Sequence, residues 1–186
     1  MRIITGKAKG IKLLTLEGND TRPTSERTKE AIFSMLQFEI DGRVVLDLFA
    51  GSGQMGLEAL SRGAAHVYLV DSGKGAFNVI KKNIEKSRLS DGCSALCEDF
   101  ITFLKKHSDL ERFDIVFLDP PYASGYYRPA LKAMIDNEIL KPTSLIVCES
   151  GEDGIFEDDC DLEGKFNVIK QSRYSKTVIT ILSPKE

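Results

Sequence analysis

The chain has 186 residues, of which 42% are hydrophobic and 28% are charged. This length suits one domain, and the composition argues against a disordered or fibrous protein. No apolar run reaches the ~18 residues that a membrane-spanning helix needs, and the N-terminus lacks the apolar core of a signal peptide. We therefore expect a cytoplasmic protein with no membrane partner.

The net charge of -3 argues at first against a nucleic-acid partner. The charge is unevenly spread, however, because residues 149–163 carry eight acidic side chains and no basic one. Residues 1–16 carry four basic side chains and no acidic one, namely Arg2, Lys7, Lys9 and Lys12. A basic N-terminal surface that meets phosphate and a merely solvated edge explain this pattern equally well.

The first part of the chain predicts a small appendage. Residues 2–5 and 11–16 predict two short strands around a lysine-rich turn at Gly6–Gly10. A second turn then leads into a helix whose N-cap is Thr24. The four cysteines, at positions 93, 97, 148 and 160, lack the clustering of a zinc site, so we expect reduced, buried thiols and no metal.

After Gly42 the sequence alternates between apolar strand runs and amphipathic helices. The predicted strands are 44–49, 66–70, 93–97, 113–118 and 144–148, and two β-rich segments at 168–171 and 178–182 close the chain as an antiparallel pair. The predicted helices are 55–62, 76–87, 100–107 and 127–138. This alternation predicts an α/β fold whose mostly parallel sheet is covered on both faces. Ligands of such sheets bind beyond the carboxyl ends of the strands.

A glycine-rich loop follows the first of these strands. Gly51, Gly53 and Gly56 match the pattern G-x-G-x-x-G, in which glycine lets the backbone approach a ligand at a helix N-terminus. Asp71 follows 20 residues after Gly51, where an acid binds the hydroxyls of an adenosine ribose. Both nicotinamide dinucleotides and S-adenosylmethionine contain adenosine. Asp47 favours the second, because a carboxylate attracts a cationic sulfonium and repels a pyrophosphate; a buried acid that only caps the loop remains an alternative.

The tetrad Asp119-Pro120-Pro121-Tyr122 directly follows the fourth predicted strand. Proline stiffens this loop and offers carbonyls without N–H groups. The Asp119 carboxylate and the Pro120 carbonyl can each accept one N–H of an exocyclic amine, which gains positive charge as it attacks a methyl carbon. Tyr122 can stack on the base once it is turned out. We therefore predict methylation of a base amine, with the four tetrad residues as the catalytic set.

These segments together resemble the class I S-adenosylmethionine-dependent methyltransferases with a DPPY-type motif, and most closely the RsmD-type 16S ribosomal RNA guanine-N2 methyltransferases. The resemblance spans nearly the whole chain. The segments that carry it are 2–6, 12–13, 22–30, 47–53, 56–64, 119–122 and 173–177. Three departures are Gly73, where a second acid two residues after Asp71 is typical, Lys29, where arginine is usual, and Ser175, where glycine is common.

The resemblance implies a Rossmann-like fold with a seven-stranded, mostly parallel sheet and an antiparallel last strand. It also implies S-adenosylmethionine as cofactor, S-adenosylhomocysteine as product and no metal. The residues that it implies for the cofactor are Asp47, Phe49, Ala50, Gly51, Ser52, Gly53, Gly56, Asp71, Ser72, Asp99 and Phe100. Of these, Asp71 would bind the ribose, and Asp99 with Phe100 would lie by the adenine. The residues expected to contact RNA are Arg2, Lys7, Lys9, Lys12, Arg22, Thr24, Arg27 and Lys29.

We accordingly predict an RNA-gripping appendage at residues 1–41 and a catalytic domain at 42–186, acting as a monomer on 16S ribosomal RNA or the small ribosomal subunit. One alternative is an adenine-N6 methyltransferase acting on DNA or RNA, because the tetrad serves both amines. A second is a NAD-dependent oxidoreductase, which uses the glycine loop but leaves the tetrad without a role. A third is a ribosome-binding factor that has lost catalysis, against which the intact tetrad argues.

Overall fold

The computed structural model describes residues 1–16, 26–107, 109, 112–121, 124–151, 155–156 and 159–185. Its strands are β1 (Val44–Asp47), β2 (His66–Val70), β3 (Cys93–Leu96), β4 (Phe113–Leu118), β5 (Leu140–Ser150), β6 (Phe166–Tyr174) and β7 (Thr177–Pro184). Its helices are α1 (Glu26–Met35), α2 (Gln54–Ser61), α3 (Lys74–Ser87), α4 (Phe100–Lys106), α5 (Tyr127–Asp136) and α6 (Cys160–Glu163). None of the helices in these ranges has the length and hydropathy that crossing a bilayer requires.

The strands form one sheet of seven in the order β3-β2-β1-β4-β5-β7-β6. Strands β1 to β5 pair in parallel, whereas β7 lies antiparallel between β5 and β6. The predicted seven-stranded, mostly parallel sheet is thereby confirmed. The strand order reverses between β1 and β4, and ligands of such sheets bind at the carboxyl edge beside that reversal.

Helices cover both faces of the sheet, because the central strands are apolar on both sides. Strand β4 is buried along its whole length. Side chains from α1, α2 and α3 join one apolar cluster, and side chains from α4, α5 and α6 join the other. Alternation along a strand divides its residues between the two, so that Val45 enters the first cluster and Leu46 the second. The loops at the carboxyl ends of these strands therefore lie above a tightly packed core.

Several predicted boundaries differ from the observed ones. Strand β5 begins at Leu140 and not at residue 144, because Leu140 already pairs with Phe113 ahead of an irregularity in the register, where exposed Pro142 and Thr143 interrupt the apolar pattern. Residues 2–5 and 11–16 form no regular strands; one antiparallel bridge joins Arg2 to Lys12. The predicted N-cap, Thr24, lies outside the described residues.

The cysteine prediction was partly wrong. All four thiols are free, but only Cys148 is buried, while Cys97 and Cys160 are exposed. Strand β3 ends one residue before Cys97, so this thiol does not share the inward face that a longer strand would have given it. Within the described residues, no group of three or more His, Cys, Asp or Glu side chains could hold a metal ion.

Candidate functional site

The glycine loop connects β1 to α2 at the carboxyl edge of the sheet. Gly51 and Gly53 have φ values of +55° and +77°, a backbone conformation that residues with a side chain rarely adopt. At Gly56, a Cβ atom would lie 2.3 Å from Leu69 Cδ2 and 2.7 Å from Val67 Cγ1 on β2. The first two glycines therefore permit the turn, and the third permits close contact between α2 and the sheet.

Asp47 ends β1 beneath this loop. Its carboxylate is buried, with 4% relative exposure, and its Oδ2 accepts a hydrogen bond of 3.0 Å from the Gly56 N–H. Burial raises the pKa of Asp47 to about 7, opposed by the Gly56 hydrogen bond and assisted by the charge of Asp71. Asp47 does cap the loop. Its raised pKa also shows that the protein alone compensates this buried anion poorly, which suits a site for a cationic ligand.

Asp71 follows β2 and holds two loops together. Its Oδ2 accepts a hydrogen bond of 2.8 Å from the Gly51 N–H, and its Oδ1 accepts one of 2.8 Å from the Gly73 N–H. Each carboxylate oxygen has a second lone pair, so Asp71 can also accept hydrogen bonds from two hydroxyls. Ser72, beside it, is exposed.

Three aromatic rings form a wall near this edge. Phe49 lies 5.0 Å from Phe100 between ring centroids, and Tyr126 lies 5.1 Å from Phe100 and 6.1 Å from Phe49. Asp99 is the N-cap of α4, because its Oδ1 accepts hydrogen bonds from two backbone N–H groups of the first turn. Phe49, Asp99 and Phe100 thus lie close together, and their contact with adenine stays a prediction. The sequence analysis did not single out Tyr126, which directly precedes the helix predicted at 127–138.

The predicted catalytic tetrad begins directly after β4, beside the glycine loop. The register pairs Asp47 with Phe117, so Asp119 lies level with Phe49 two residues further along the two strands. Adjacent strands are ~4.8 Å apart, which makes the two loops direct neighbours. Asp119 is exposed and Pro120 is buried, and the predicted partner Tyr122 lies outside the described residues.

The donor set of this edge fits S-adenosylmethionine better than a dinucleotide. Asp71 and Asp47 accept hydrogen bonds from the Gly51 and Gly56 N–H groups, so a pyrophosphate on the glycine loop would lie close to two carboxylates. Next to the loop, Gln54 Oε1 is a buried acceptor without a hydrogen-bond partner, and in the described part of the chain it is alone in this. A buried acceptor without a partner and a buried carboxylate with a single N–H donor suit a ligand with an ammonium and a sulfonium.

Sequence reasoning missed a second polar centre, which attaches the N-terminal segment to α2. The Glu58 side chain is fully buried, and its carboxylate accepts hydrogen bonds from the Ile4 N–H at 2.7 Å and the Thr5 N–H at 3.0 Å. It also pairs with Arg62 Nε at 2.8 Å and Lys29 Nζ at 3.3 Å. A glutamate inside the apolar run of α2 was the available signal.

The prediction that Lys29 contacts RNA was wrong. Its side chain has 0% exposure and is enclosed between Glu58 and the backbone carbonyl of Arg2, to which its Nζ donates. Burial lowers the pKa of Lys29, although the neighbouring Glu58 opposes that shift. The lysine therefore fastens α1 to the N-terminal segment and does not reach a ligand.

The remaining predicted RNA contacts are exposed wherever the structure describes them. Arg2, Lys7, Lys9, Lys12 and Arg27 are exposed, whereas Arg22 and Thr24 lie outside the described residues. The turn at Gly6–Gly10 is attached to α2 at Ser61, whose carbonyl accepts the Lys7 N–H at 2.8 Å. Because α2 runs back from the glycine loop over eight residues, this turn lies ~12 Å from the carboxyl edge of the sheet.

A buried asparagine links the N-terminal segment to the glycine loop. Asn83 on α3 accepts the Leu14 N–H at 2.8 Å, and its Nδ2 donates to the Leu14 and Ser52 carbonyls at 2.9 Å each. The N-terminal segment is therefore held at Leu14 beside the glycine loop, through the shared partner Asn83. Position 83 carried no recognisable sequence signal, because a lone asparagine in a helix is usually solvated.

Comparison with known proteins agrees with this geometry. A model of the family described as Conserved hypothetical protein 95 matches residues 1–183. The chain is 38% identical over 154 residues to the ribosomal RNA small subunit methyltransferase D of Haemophilus influenzae, covering 82% of this chain and 80% of that protein. It is 33% identical over 150 residues to the Escherichia coli protein of the same name, covering 81% and 74%.

Solved structures agree with the sequence relatives. The Haemophilus influenzae methylase HI0767 superposes with a TM-score of 0.81 at 30% identity, covering 100% of this chain and 98% of that one. The yhhF protein of Escherichia coli superposes with a TM-score of 0.82 at 27% identity, covering 100% and 98%. The chain described here is thus a methyltransferase, and the NAD-dependent oxidoreductase alternative is wrong. The chain belongs to the RsmD-type family, which includes the ribosomal RNA small subunit methyltransferases D.

Proposed function

We propose that this enzyme transfers a methyl group from S-adenosylmethionine to the exocyclic N2 amine of a guanine in 16S ribosomal RNA. The observation that carries the proposal is the position of Asp119 and Pro120, level with the glycine loop and one strand away from Asp47. The names of the Haemophilus influenzae and Escherichia coli relatives support a small-subunit RNA substrate.

The cofactor, when bound, supplies an electrophilic methyl carbon. Asp47 is placed to meet positive charge and Asp71 to accept from the ribose hydroxyls, while Phe49 and Phe100 offer an apolar wall to the adenine. Gln54 Oε1 adds an acceptor beside the loop. Cofactor binding is thus assigned to residues at the carboxyl ends of β1, β2 and β3 and in the helices that follow β1 and β3.

The tetrad serves the substrate. The Asp119 carboxylate and the Pro120 carbonyl each accept one N–H of the guanine amine, and they stabilise the positive charge that this nitrogen gains during attack. Because the proton becomes acidic only after attack, no strong general base is required. Tyr122 stacks on the base that has left its helix or loop.

The appendage at residues 1–41 contributes to gripping RNA, and residues 42–186 carry out the catalysis, in a monomer that acts in the cytoplasm without a metal. The contacts of Glu58 and Asn83 support a rigid connection between the two parts, since both tie the N-terminal segment to helices beside the glycine loop. Exposed Arg2, Lys12 and Arg27 supply positive charge on this surface.

The experiment is transfer of radiolabelled methyl groups to small ribosomal subunits that lack the modification, followed by nucleoside analysis. We expect label in N2-methylguanosine. Asp119→Ala should lower kcat by ~10²-fold without changing affinity for S-adenosylhomocysteine, as expected for a transition-state acceptor. Asp136→Ala, which removes an exposed acid from the far end of α5, is the control. Label in N6-methyladenosine would favour the adenine alternative, and absence of label would refute the proposal.

A further inference from the structure

Helix α3 carries a second set of cations beside those of the N-terminal segment, residues 1–16. Residues 74–88 contain five basic side chains and one acidic one, Glu85, whereas residues 1–16 contain four basic side chains and no acid. Lys82 and Lys86 of α3 are exposed. Whether the two sets act as one surface depends on how the N-terminal segment lies against the helix.

Two contacts show the path of the N-terminal segment along α3. The Leu14 N–H donates to Asn83 Oδ1 at 2.8 Å, and Asn83 Nδ2 donates to the Leu14 carbonyl at 2.9 Å. Two residues later, Leu16 lies beside Gly75, where a Cβ atom would be 3.9 Å from Leu16 Cδ2. The segment thus passes from the middle of α3 toward its N-terminus. Lys12, two residues before Leu14, therefore lies toward the C-terminal half of the helix.

Helical spacing places Lys82 and Lys86 on the side of α3 that borders this segment. At 3.6 residues per turn, positions i, i+7 and i+11 lie on one side of a helix. Lys82 and Lys86 follow Gly75 by seven and eleven residues, so they share the side on which Leu16 makes its contact. At 1.5 Å per residue they lie ~12 Å and ~18 Å from the start of the helix, a depth similar to that of the basic turn at Gly6–Gly10.

The cations of this surface are not neutralised by ion pairs. Lys12, Lys82 and Lys86 have no acid at ion-pair distance among the residues that the structure describes. On the opposite face of the sheet, by contrast, Lys106 of α4 and Lys132 of α5 each pair with an acid at 2.8 Å. Unpaired ammonium groups keep their charge available to an anionic partner.

Few acids lie near this surface. Glu85 is exposed on α3, and Asp91 follows the helix. Glu26 pairs with Arg2 at 3.5 Å, and Glu17, the next acid along the chain, lies outside the described residues. These acids reduce the positive charge without cancelling it, because the two segments contain nine basic side chains. The surface therefore favours an extended anion.

We propose that α3 and the N-terminal segment together bind the phosphate backbone of the RNA that carries the target guanine. The inference rests on the proposed function and extends its RNA contacts to Lys82 and Lys86. Lysine ammonium groups bind phosphates as point charges and do not read the sequence. Because both lysines lie ~12–18 Å below the carboxyl edge, they hold RNA at a distance from the target base. They contribute affinity and leave the methyl-transfer step unchanged.

The chain offers a matched control at the far end of the sheet. Lys165 and Lys170 are exposed, and neither forms an ion pair in the described part of the chain. Lys170 belongs to β6, the edge strand opposite β3, beside which α3 packs. Replacing both of these lysines by glutamine removes the same charge from a distant surface, so it separates a local contact from an effect of net charge.

The test compares the Lys82→Gln, Lys86→Gln double variant, the Lys165→Gln, Lys170→Gln double variant and Glu85→Gln with the unsubstituted enzyme. Binding to small ribosomal subunits and to protein-free 16S ribosomal RNA is measured across a range of salt concentrations with S-adenosylhomocysteine present, and methyl transfer to subunits is measured in parallel. For the α3 double variant we expect a ~10-fold increase in KM and in both Kd values, with a salt dependence shallower by about one to two units of slope.

The fold and the chemistry should not change in the α3 double variant. Its kcat and its affinity for S-adenosylhomocysteine should stay within about twofold of the unsubstituted values. Its Tm should not fall by more than ~2 °C, because the exchange removes a like-charged i,i+4 pair from a helix. Glu85→Gln should lower the Kd for RNA about twofold, an effect in the direction that damage to the fold does not produce.

The control double variant should bind RNA within about twofold of the unsubstituted enzyme. Equal Kd values for the two double variants would refute the inference, because net charge alone would then explain the binding. A loss of affinity for subunits without a loss for protein-free RNA would also refute it, since a subunit protein would then contact α3. Failure of the unsubstituted enzyme to methylate subunits would refute the proposed function instead, while the RNA-binding comparison would still decide on the α3 surface.

Discussion

Replacement of Glu58 by glutamine tests how the N-terminal segment is attached to the catalytic domain. The carboxylate is fully buried and has four donors around it, from Ile4, Thr5, Arg62 and Lys29. Glutamine has the same shape but keeps one acceptor oxygen and turns an NH₂ group toward these donors. It also leaves the Lys29 ammonium buried without its counter-ion.

The expected cost is about 3–5 kcal/mol of unfolding free energy, which is the usual effect of removing one partner from a buried ion pair. That is a large part of the 5–15 kcal/mol that typically stabilises a domain. Lys29→Met should cost less, about 1–3 kcal/mol, because Glu58 keeps three other donors and the methionine is apolar. The double variant should be more stable than the sum of the two losses predicts, by at least ~1.5 kcal/mol.

The assay is urea-induced unfolding of the unsubstituted protein, Glu58→Gln, Lys29→Met and the double variant. Burial holds the pKa of Lys29 below its ordinary value of 10.5, so the unfolded chain binds more protons in the interval between the two values. The unfolding free energy should therefore rise with pH across that interval, and Lys29→Met should remove this rise. Glu39→Gln, which breaks an exposed pair with Arg43, is the control and should cost under ~0.5 kcal/mol.

Losses that add within ~0.5 kcal/mol in the double variant would refute this reasoning, because they would show that Glu58 and Lys29 do not stabilise one another.

Three further substitutions probe the site and the turns. The pKa of Asp47 is raised from 3.8 to about 7 in the folded state, so the folded chain binds more protons between these values and its stability falls as pH rises through them. Asp47→Asn should remove this fall, adding on the order of 2–4 kcal/mol at pH 8 in urea unfolding, while weakening S-adenosylmethionine binding in calorimetry. Gly6→Ala should cost about 3 kcal/mol, because the new Cβ would lie 1.7 Å from the Ser61 carbonyl oxygen at a φ of +85°. Ser175→Gly should add about 0.5–1 kcal/mol in urea unfolding, because Ser175 has a φ of +59° in the turn between β6 and β7.

Each of these substitutions has a control in the same chain. Gly10 has a φ of +86° but open space around its Cβ position, so Gly10→Ala should cost only the backbone strain of about 1–2 kcal/mol. Equal losses at Gly6 and Gly10 would contradict the contact with Ser61. Lys176→Gly, at the neighbouring turn position without a positive φ, should destabilise the protein. If the unfolding free energy of Asp47→Asn still fell between pH 4 and pH 7, as in the unsubstituted protein, the burial of the Asp47 charge would be contradicted.

Local pattern determined a large part of this protein. The order of strands and helices, the antiparallel closing pair and the glycine loop followed from apolar runs and from turn residues, each of which acts over a few positions. Asp71 and Asp119 were recognisable because they directly follow predicted strands. Parallel strands carry their ligand sites at one shared edge, so order along the chain was enough to bring these residues together.

The tertiary structure decided what depends on partners that are distant in sequence. Lys29 looked like an exposed cation of an RNA-contacting helix, but Glu58 encloses it, and the pair is 29 residues apart. The same holds for Asn83 with Leu14 and for Tyr126 with Phe49. A residue's own chemistry determines whether it can bind, accept or turn the chain. Whether that residue is buried, and against what, depends on how the sheet, its helices and the N-terminal segment pack together.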